Sequence, residues 1–144
     1  MTAGQTSTTR LVGAVTLTPA LPGDMPAILD LVRAVHLPPE GVAETIQYFW
    51  VARDGEHIVG TIGLEVYDDL ALLRSLAVTP SRQHTGLGRA LTETALAYLM
   101  TRQFRAVYLL TTTAVAFFAR HGFHPLARDE VPASVQRSAE FQSV

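Results

Sequence analysis

Two glycines one residue apart, Gly86 and Gly88, stand in the stretch SRQHTGLGRALTETALAYL, Ser81 to Leu99, directly before a long run of helically spaced apolar residues. The first turn of a helix leaves backbone N–H groups without partners, and the macrodipole makes that end positive. A backbone without Cβ atoms at residues 86 and 88 lets a diphosphate approach those groups closely. Three phosphate patterns contain such glycines. The P-loop requires Lys and Ser or Thr after its last glycine, whereas Arg89 and Ala90 follow Gly88. The dinucleotide fingerprint requires Gly or Ala three residues on, where Leu91 stands. The third, Gln/Arg-x-x-Gly-x-Gly/Ala between a central strand and a long helix, is met by Gln83, Gly86 and Gly88, with Arg82 and Arg89 adding charge. On the two glycines alone, a loop end or a close helix–strand contact is an equal reading. The strand before them and the apolar helix after them favour anion binding.

The elements around this stretch fix its setting. Leu11–Leu17 reads as a first strand, and Asp24, with Pro26 in the first turn, as the start of a helix whose face is Ile28, Leu31, Val32 and Val35. The prolines of HLPPEG end that helix, and residues 42–47 form a short second one. Three strands follow: Tyr48–Arg53, Ile58–Tyr67 with Ile58, Ile62, Leu64 and Val66 on one side, and Leu70–Val78, apolar on both faces and therefore central. The glycine stretch then opens a helix over residues 87–102, buried through Leu87, Leu91, Ala95 and Tyr98. Ala106–Leu110 is a buried strand. A short helix follows, closed by Gly122, then a last strand at residues 124–127 and a last helix at residues 132–141.

The bulk numbers bound the partners. The 144 residues suit one domain over residues 11–144 behind a flexible tail, residues 1–10. Eleven basic against 13 acidic residues, a formal charge of −2, give no electrostatic case for nucleic acid or an anionic membrane. With no cysteine there is no disulfide framework and no thiolate chemistry, which fits a cytoplasmic location. The polar N-terminus has no signal-peptide core, and no apolar run reaches bilayer length.

In their order and spacing these residues resemble the GNAT superfamily of acyl-CoA-dependent N-acetyltransferases. LLRSLAVTPSRQHTGLGRAL is similar to its acetyl-CoA motif, and YLLTTTAVAFFARHGFHPL to its second motif, with Phe117, Phe118, Gly122 and Phe123 in place. ALPGDMPAILDLV resembles its first helix, and the resemblance runs from about Thr16 to Phe141. Within the superfamily, the small amino-acid acetyltransferases are the nearest likeness, both the N-acetylglutamate synthase type and the arsenic-resistance-associated group. The resemblance implies an α+β, three-layer fold. Its mixed central sheet would have six or seven strands with helices on both faces, splayed between the fourth strand, Leu70–Val78, and the fifth, Ala106–Leu110. It also implies acetyl-CoA as co-substrate, no metal, a small-molecule amine as acceptor, and a monomer or homodimer. A non-catalytic CoA-binding module and a peptide N-terminal acetyltransferase are the alternatives.

The implied cofactor contacts are Leu76, Ala77, Val78, Arg82, Gln83, His84, Thr85, Gly86, Leu87, Gly88, Arg89, Thr112, Phe117 and Phe118. A backbone N–H of Leu76, Ala77 or Val78 would donate to the thioester oxygen. Two positions depart from the usual pattern. Phe118 stands where many relatives carry a tyrosine that protonates the leaving thiolate, and Leu72 where many carry a basic glutamate. Glu65, in GLEVY, is the candidate catalytic substitute; it either binds or deprotonates the substrate amine or is an exposed strand residue. Arg74, in LLRSL, either clamps a substrate carboxylate or pairs with Glu65 or Asp69. Thr111 is a substrate contact, with helix capping open for Thr112 or Thr113. Tyr48, Phe49 and Trp50 belong to the core, and His36, His121 and His124 lack metal-ligand spacing.

Overall fold

The computed structural model describes residues 9–143, without the side chain of Ser143. Most of the expected tail lies outside the described residues, but Arg10 already belongs to the sheet. The strands are β1 (Arg10–Val12), β2 (Val15–Pro19), β3 (Phe49–Asp54), β4 (His57–Tyr67), β5 (Leu70–Val78) and β6 (Ala106–Tyr108). The helices are α1 (Met25–Ala34), α2 (Leu87–Thr101), α3 (Val115–Ala119), α4 (Ala133–Gln136) and α5 (Ala139–Ser143). One six-stranded sheet runs in the order β1-β2-β3-β4-β5-β6. The first five strands form an antiparallel meander, and β6 joins β5 in parallel after the α2 crossover.

The expected mixed sheet between helical layers is therefore present. On one face α2 covers Ile62, Leu64, Ala71 and Leu73 through Leu87, Leu91, Ala95 and Tyr98. On the other, α1 covers Phe49, Val51 and Ala77 through Ile28, Leu31 and Val32. A third cluster joins Leu70 and Leu72 to Val131, Val135 and Phe141. Each fully buried leucine or isoleucine contributes about 1.5–3 kcal/mol relative to exposure. Trp50 and Tyr98 meet edge to face at 5.3 Å, which sets Trp50 in the core.

Several expectations are corrected. The first strand is a hairpin, because the chain turns at Gly13. Asp24 does not cap α1; its carboxylate accepts the Leu21 N–H at 2.8 Å, one turn earlier, and pairs with Arg53. Ile58 packs on the α1 side, away from Ile62 and Leu64, because a bulge near Val59 reverses the alternation. Residues 43–48 form a 3-10 turn. No strand forms at residues 124–127; the segment is exposed, and Pro125 lacks the N–H a ladder needs. The last helix is two short ones, broken at Arg137 and Ser138.

Candidate active site

β5 and β6 pair only over Leu70–Ala106, Ala71–Val107 and Leu72–Tyr108. Beyond Leu72 the two strands diverge, and this fork is the expected splay. Inside it, β5 carries a bulge. Thr61 faces Ala77 while Gly63 faces Arg74, so Ser75 and Leu76 together oppose Ile62. Ser75 takes a left-handed φ of 59°, which a non-glycine residue adopts only where its surroundings impose it. A bulge takes one residue out of the ladder and re-aims its neighbours. Here it does so at Leu76 and Ala77, the residues expected to offer an amide to the acyl group.

At its far end β5 delivers the chain to the glycine loop. A 3-10 turn, Pro80–Arg82, leads through Gln83 to Gly86 and into α2. The Gln83 side chain donates to the Val78 carbonyl at 3.0 Å, tying loop to strand. Thr85 donates to the Arg82 carbonyl, and Arg82 pairs with Asp54. Gly86 has φ 88°, and a Cβ built on it meets nothing within 4 Å. At Gly88 a Cβ would meet only Phe117 and Val78, at 3.9 and 4.0 Å. The first helical bond of α2 runs from the Ala90 N–H to the Gly86 carbonyl at 3.0 Å, so the amides of Leu87, Gly88 and Arg89 have no acceptor within the helix. The mouth is bare, positive and open, and Val78 and Phe117 line its approach. His84 and Arg89 are exposed beside it, Arg89 paired with Glu93 at 3.0 Å. Among the described residues, Thr79 Oγ1, at the strand exit, is buried without a hydrogen-bond partner.

The other end of the fork is a cleft of about 120 Å³ lined by Arg74, Ser75, Leu76, Thr111, Phe118 and Glu140, with Leu37 and Pro38 at its rim. HLPPEG thus borders the cleft. The Arg74 side chain is wholly buried. Its Nη1 donates to Glu65 at 2.8 Å, Nη2 to the Pro38 carbonyl at 2.8 Å and Nε to Ser75 Oγ at 3.0 Å; Nε also lies 3.4 Å from Glu140. Of the two readings of Arg74, the ion pair is present, and with Glu65; Asp69 instead pairs with Arg105. Glu65 is buried rather than solvent-facing, and its second oxygen accepts the Tyr67 hydroxyl. Gly41 lets the segment after α1 close over this pair. Its φ is 86°, and a Cβ there would stand 2.8 Å from both Arg74 Nη1 and the Ala139 Cβ.

Burial and the neighbouring Glu65 push the Tyr67 hydroxyl well above the usual tyrosine range. Burial pushes Glu140 up to about 7, Arg74 opposing and Glu65 reinforcing. Thr111 accepts the Ala114 N–H at 3.0 Å, while α3 has Ala114 at its N-cap and no side-chain cap, so the capping expected of Thr112 or Thr113 is not made. Leu72 is fully buried in the third cluster, and Phe118 is buried between Phe117 and Phe123. Glu140 was missed from sequence, since a glutamate in a short polar-looking segment carries no periodic signal. A second cavity, about 700 Å³ and largely apolar, lies beyond β6 beside Val107, Phe123 and Leu126, where the expected last strand is missing. Among the described residues no group of three or more His, Cys, Asp or Glu could hold a metal, and no helix is long and apolar enough to cross a membrane.

A bulged central strand, a fork beside it and a bare helix mouth beyond its end make up the framework of the site. The acetyltransferase (GNAT) domain family matches residues 45–125, more than half of the chain, and the chain belongs to that family. An amino-acid acetyltransferase of Mycobacterium tuberculosis is 35% identical over 96 residues, 64% of this chain and 55% of that protein, so the chain spans about half the length of this relative. A Mycobacterium tuberculosis protein solved in complex with CoA superposes with a TM-score of 0.73 and 31% identity, over 88% of this chain and 84% of that one. N-acetylglutamate synthase from Neisseria gonorrhoeae, complexed with CoA and L-arginine, superposes with a TM-score of 0.71 and 25% identity, over 85% of this chain and 30% of that one.

Proposed function

We propose that this chain transfers acetyl from acetyl-CoA to the amine of a small molecule, an α-amino acid or an analogue. The observation that carries the reading is the continuity of one strand. β5 leads through the turn at Pro80–Arg82 to the open helix mouth of Gly86 and Gly88 and carries, two to three residues before its end at Val78, a bulge that lines a cleft. The mouth fits a diphosphate, since three amides of α2 lack helical acceptors and no side chain blocks Gly86. Gln83, Thr85, Leu87 and Arg89 would frame that site, with Arg82 and His84 at its edge; Val78 and Phe117 stand beside Gly88, and Thr112 is proposed as a further contact toward the cleft. The CoA thioester supplies an acyl group activated toward an amine. An amide of Leu76 or Ala77 donates to its oxygen as charge develops. Holding amine and acyl group in line supplies much of the rate, roughly 7–11 kcal/mol in favourable cases. The cleft of about 120 Å³ suits the reacting end of a small acceptor. Arg74, Thr111 and Glu140 shape its polar side, with Glu65 behind Arg74, and the amino-acid acetyltransferase relative supports an amino acid as occupant.

Phe118 and Leu72, both buried and without a transferable proton, favour a second reading, a CoA-binding module without turnover. One experiment separates the two. Acetyl-CoA is offered with a panel of amino acids, amines and short peptides, and free thiol is followed. Acceptor-dependent thiol release supports transfer. Thermal stabilisation by acetyl-CoA without release supports the module, and the absence of both defeats either reading.

A further inference from the structure

Amine attack requires a group that removes a proton from the acceptor's ammonium, and the positions first suspected do not provide one. Leu72 is apolar and fully buried. Glu65 already accepts bonds from Arg74 and Tyr67 through its two oxygens, and it is not among the residues lining the cleft. Glu140 does line the cleft, together with Ser75 and Leu76 of the bulge. Its carboxylate reaches the cleft because Phe141, the next residue, is anchored against Leu70 and Leu72.

Glu140 also belongs to the charge cluster of the cleft. One guanidinium faces two carboxylates, Glu65 at 2.8 Å and Glu140 at 3.4 Å. The charged and polar groups near Glu140 include Arg74 and Ser75 from β5 and Glu65, with Tyr67 behind it, from β4. We propose that Glu140 is the general base of the transfer, taking the acceptor's ammonium proton within the cleft beside the Ser75–Leu76 bulge. This rests on the acetyltransferase reading above.

The balance is simple. Glu140 in its carboxylate form takes one proton from the ammonium. The freed amine forms the C–N bond to the acetyl carbon as the C–S bond breaks. The second nitrogen proton leaves with the thiolate as free thiol, and Glu140 returns its own proton to solvent. A carboxyl group pushed up to about 7 is matched to this task near neutral pH.

The test is kcat/KM against pH for wild type, Glu140→Gln and Glu140→Asp, with acetyl-CoA affinity measured separately by calorimetry. Wild type should lose activity with unit slope below about 7, as Glu140 becomes protonated. Glu140→Gln should bind acetyl-CoA normally and lose on the order of 10²- to 10⁴-fold in rate. Its remaining rate should follow the acceptor's own ammonium ionisation instead. Glu140→Asp should recover the lower limb at reduced kcat. If Glu140→Gln keeps that limb, or stays within threefold of wild type, Glu140 is not the base although the enzyme is an acetyltransferase. If wild type releases no thiol with any amine, the functional reading falls and takes the base with it. Should Glu140→Gln not fold, carboxyl NMR of wild type decides: titration near the ordinary glutamate value overturns the proposal.

Discussion

At Arg74 a single side chain holds four parts of the molecule together. Its nitrogens reach β4 through Glu65, the segment after α1 through Pro38, its own strand through Ser75, and α5 through Glu140. Such a pair is weak evidence for stability in itself, but removing one partner leaves the other charged and dry. Arg74→Met should cost about 3–5 kcal/mol in urea unfolding. The double variant with Glu65→Gln should recover part of that loss, and a double-mutant cycle reads the coupling. Gly86 is the opposite kind of residue, with open space where a side chain would stand. Gly86→Val forces a β-branched side chain into φ 88°. It should cost about 1–2 kcal/mol in stability. It should also weaken acetyl-CoA by about tenfold or more, ~1.4 kcal/mol per decade, measured by calorimetry.

Among the elements, the final pair of short helices matters more than its length suggests. Phe141 closes the cluster over Leu70 and Leu72, and Glu140 enters the cleft from the same turn. Phe141→Ala should cost roughly 3 kcal/mol. It should depress turnover beyond its effect on melting, because Glu140 loses its anchor; comparing kcat with the folded fraction checks this. The strands and α2 were legible because their apolar periods are long and uninterrupted, as in Leu70–Val78 and Leu87, Leu91, Ala95, Tyr98. The glycine mouth was legible because its chemistry is local to Gln83, Gly86 and Gly88. Neither bulge was legible, since each depends on which residue the partner strand presents. Glu140 was hidden for the same reason: its burial depends on Arg74 and on the β5 residues Leu70 and Leu72 that Phe141 packs on, all far away in sequence. The strand expected at residues 124–127 shows the converse, a short apolar stretch with no edge to claim it.

For the molecule as a whole, burial of Glu140 makes stability depend on pH. The folded state holds a proton on this carboxyl up to about 7, against 4.5 as the ordinary value. Between those values the unfolded chain binds fewer protons than the folded one, so unfolding free energy falls as pH rises. The contribution is full below the ordinary value and lost by the time the folded group ionises. At 1.36 kcal/mol per unit, the loss is on the order of 3 kcal/mol. Urea midpoints from pH 5 to 8 should therefore decline for wild type and stay nearly level for Glu140→Gln.

The bulge in β5 carries one more consequence. Before it, Ala71 and Leu73 face α2; after it, Leu76 and Val78 do, while Ala77 faces α1. The odd-numbered set thus hands its side of the sheet to the even-numbered one, and the extra residue makes the exchange. Excising Ser75 would restore an unbroken ladder from Gly63–Arg74 to Thr61–Ala77 and leave every apolar side chain where it was. Such a shortened strand should fold cooperatively and still accept acetyl-CoA at the helix mouth, yet transfer nothing. The irregularity is detachable from the architecture, and what leaves with it is the chemistry.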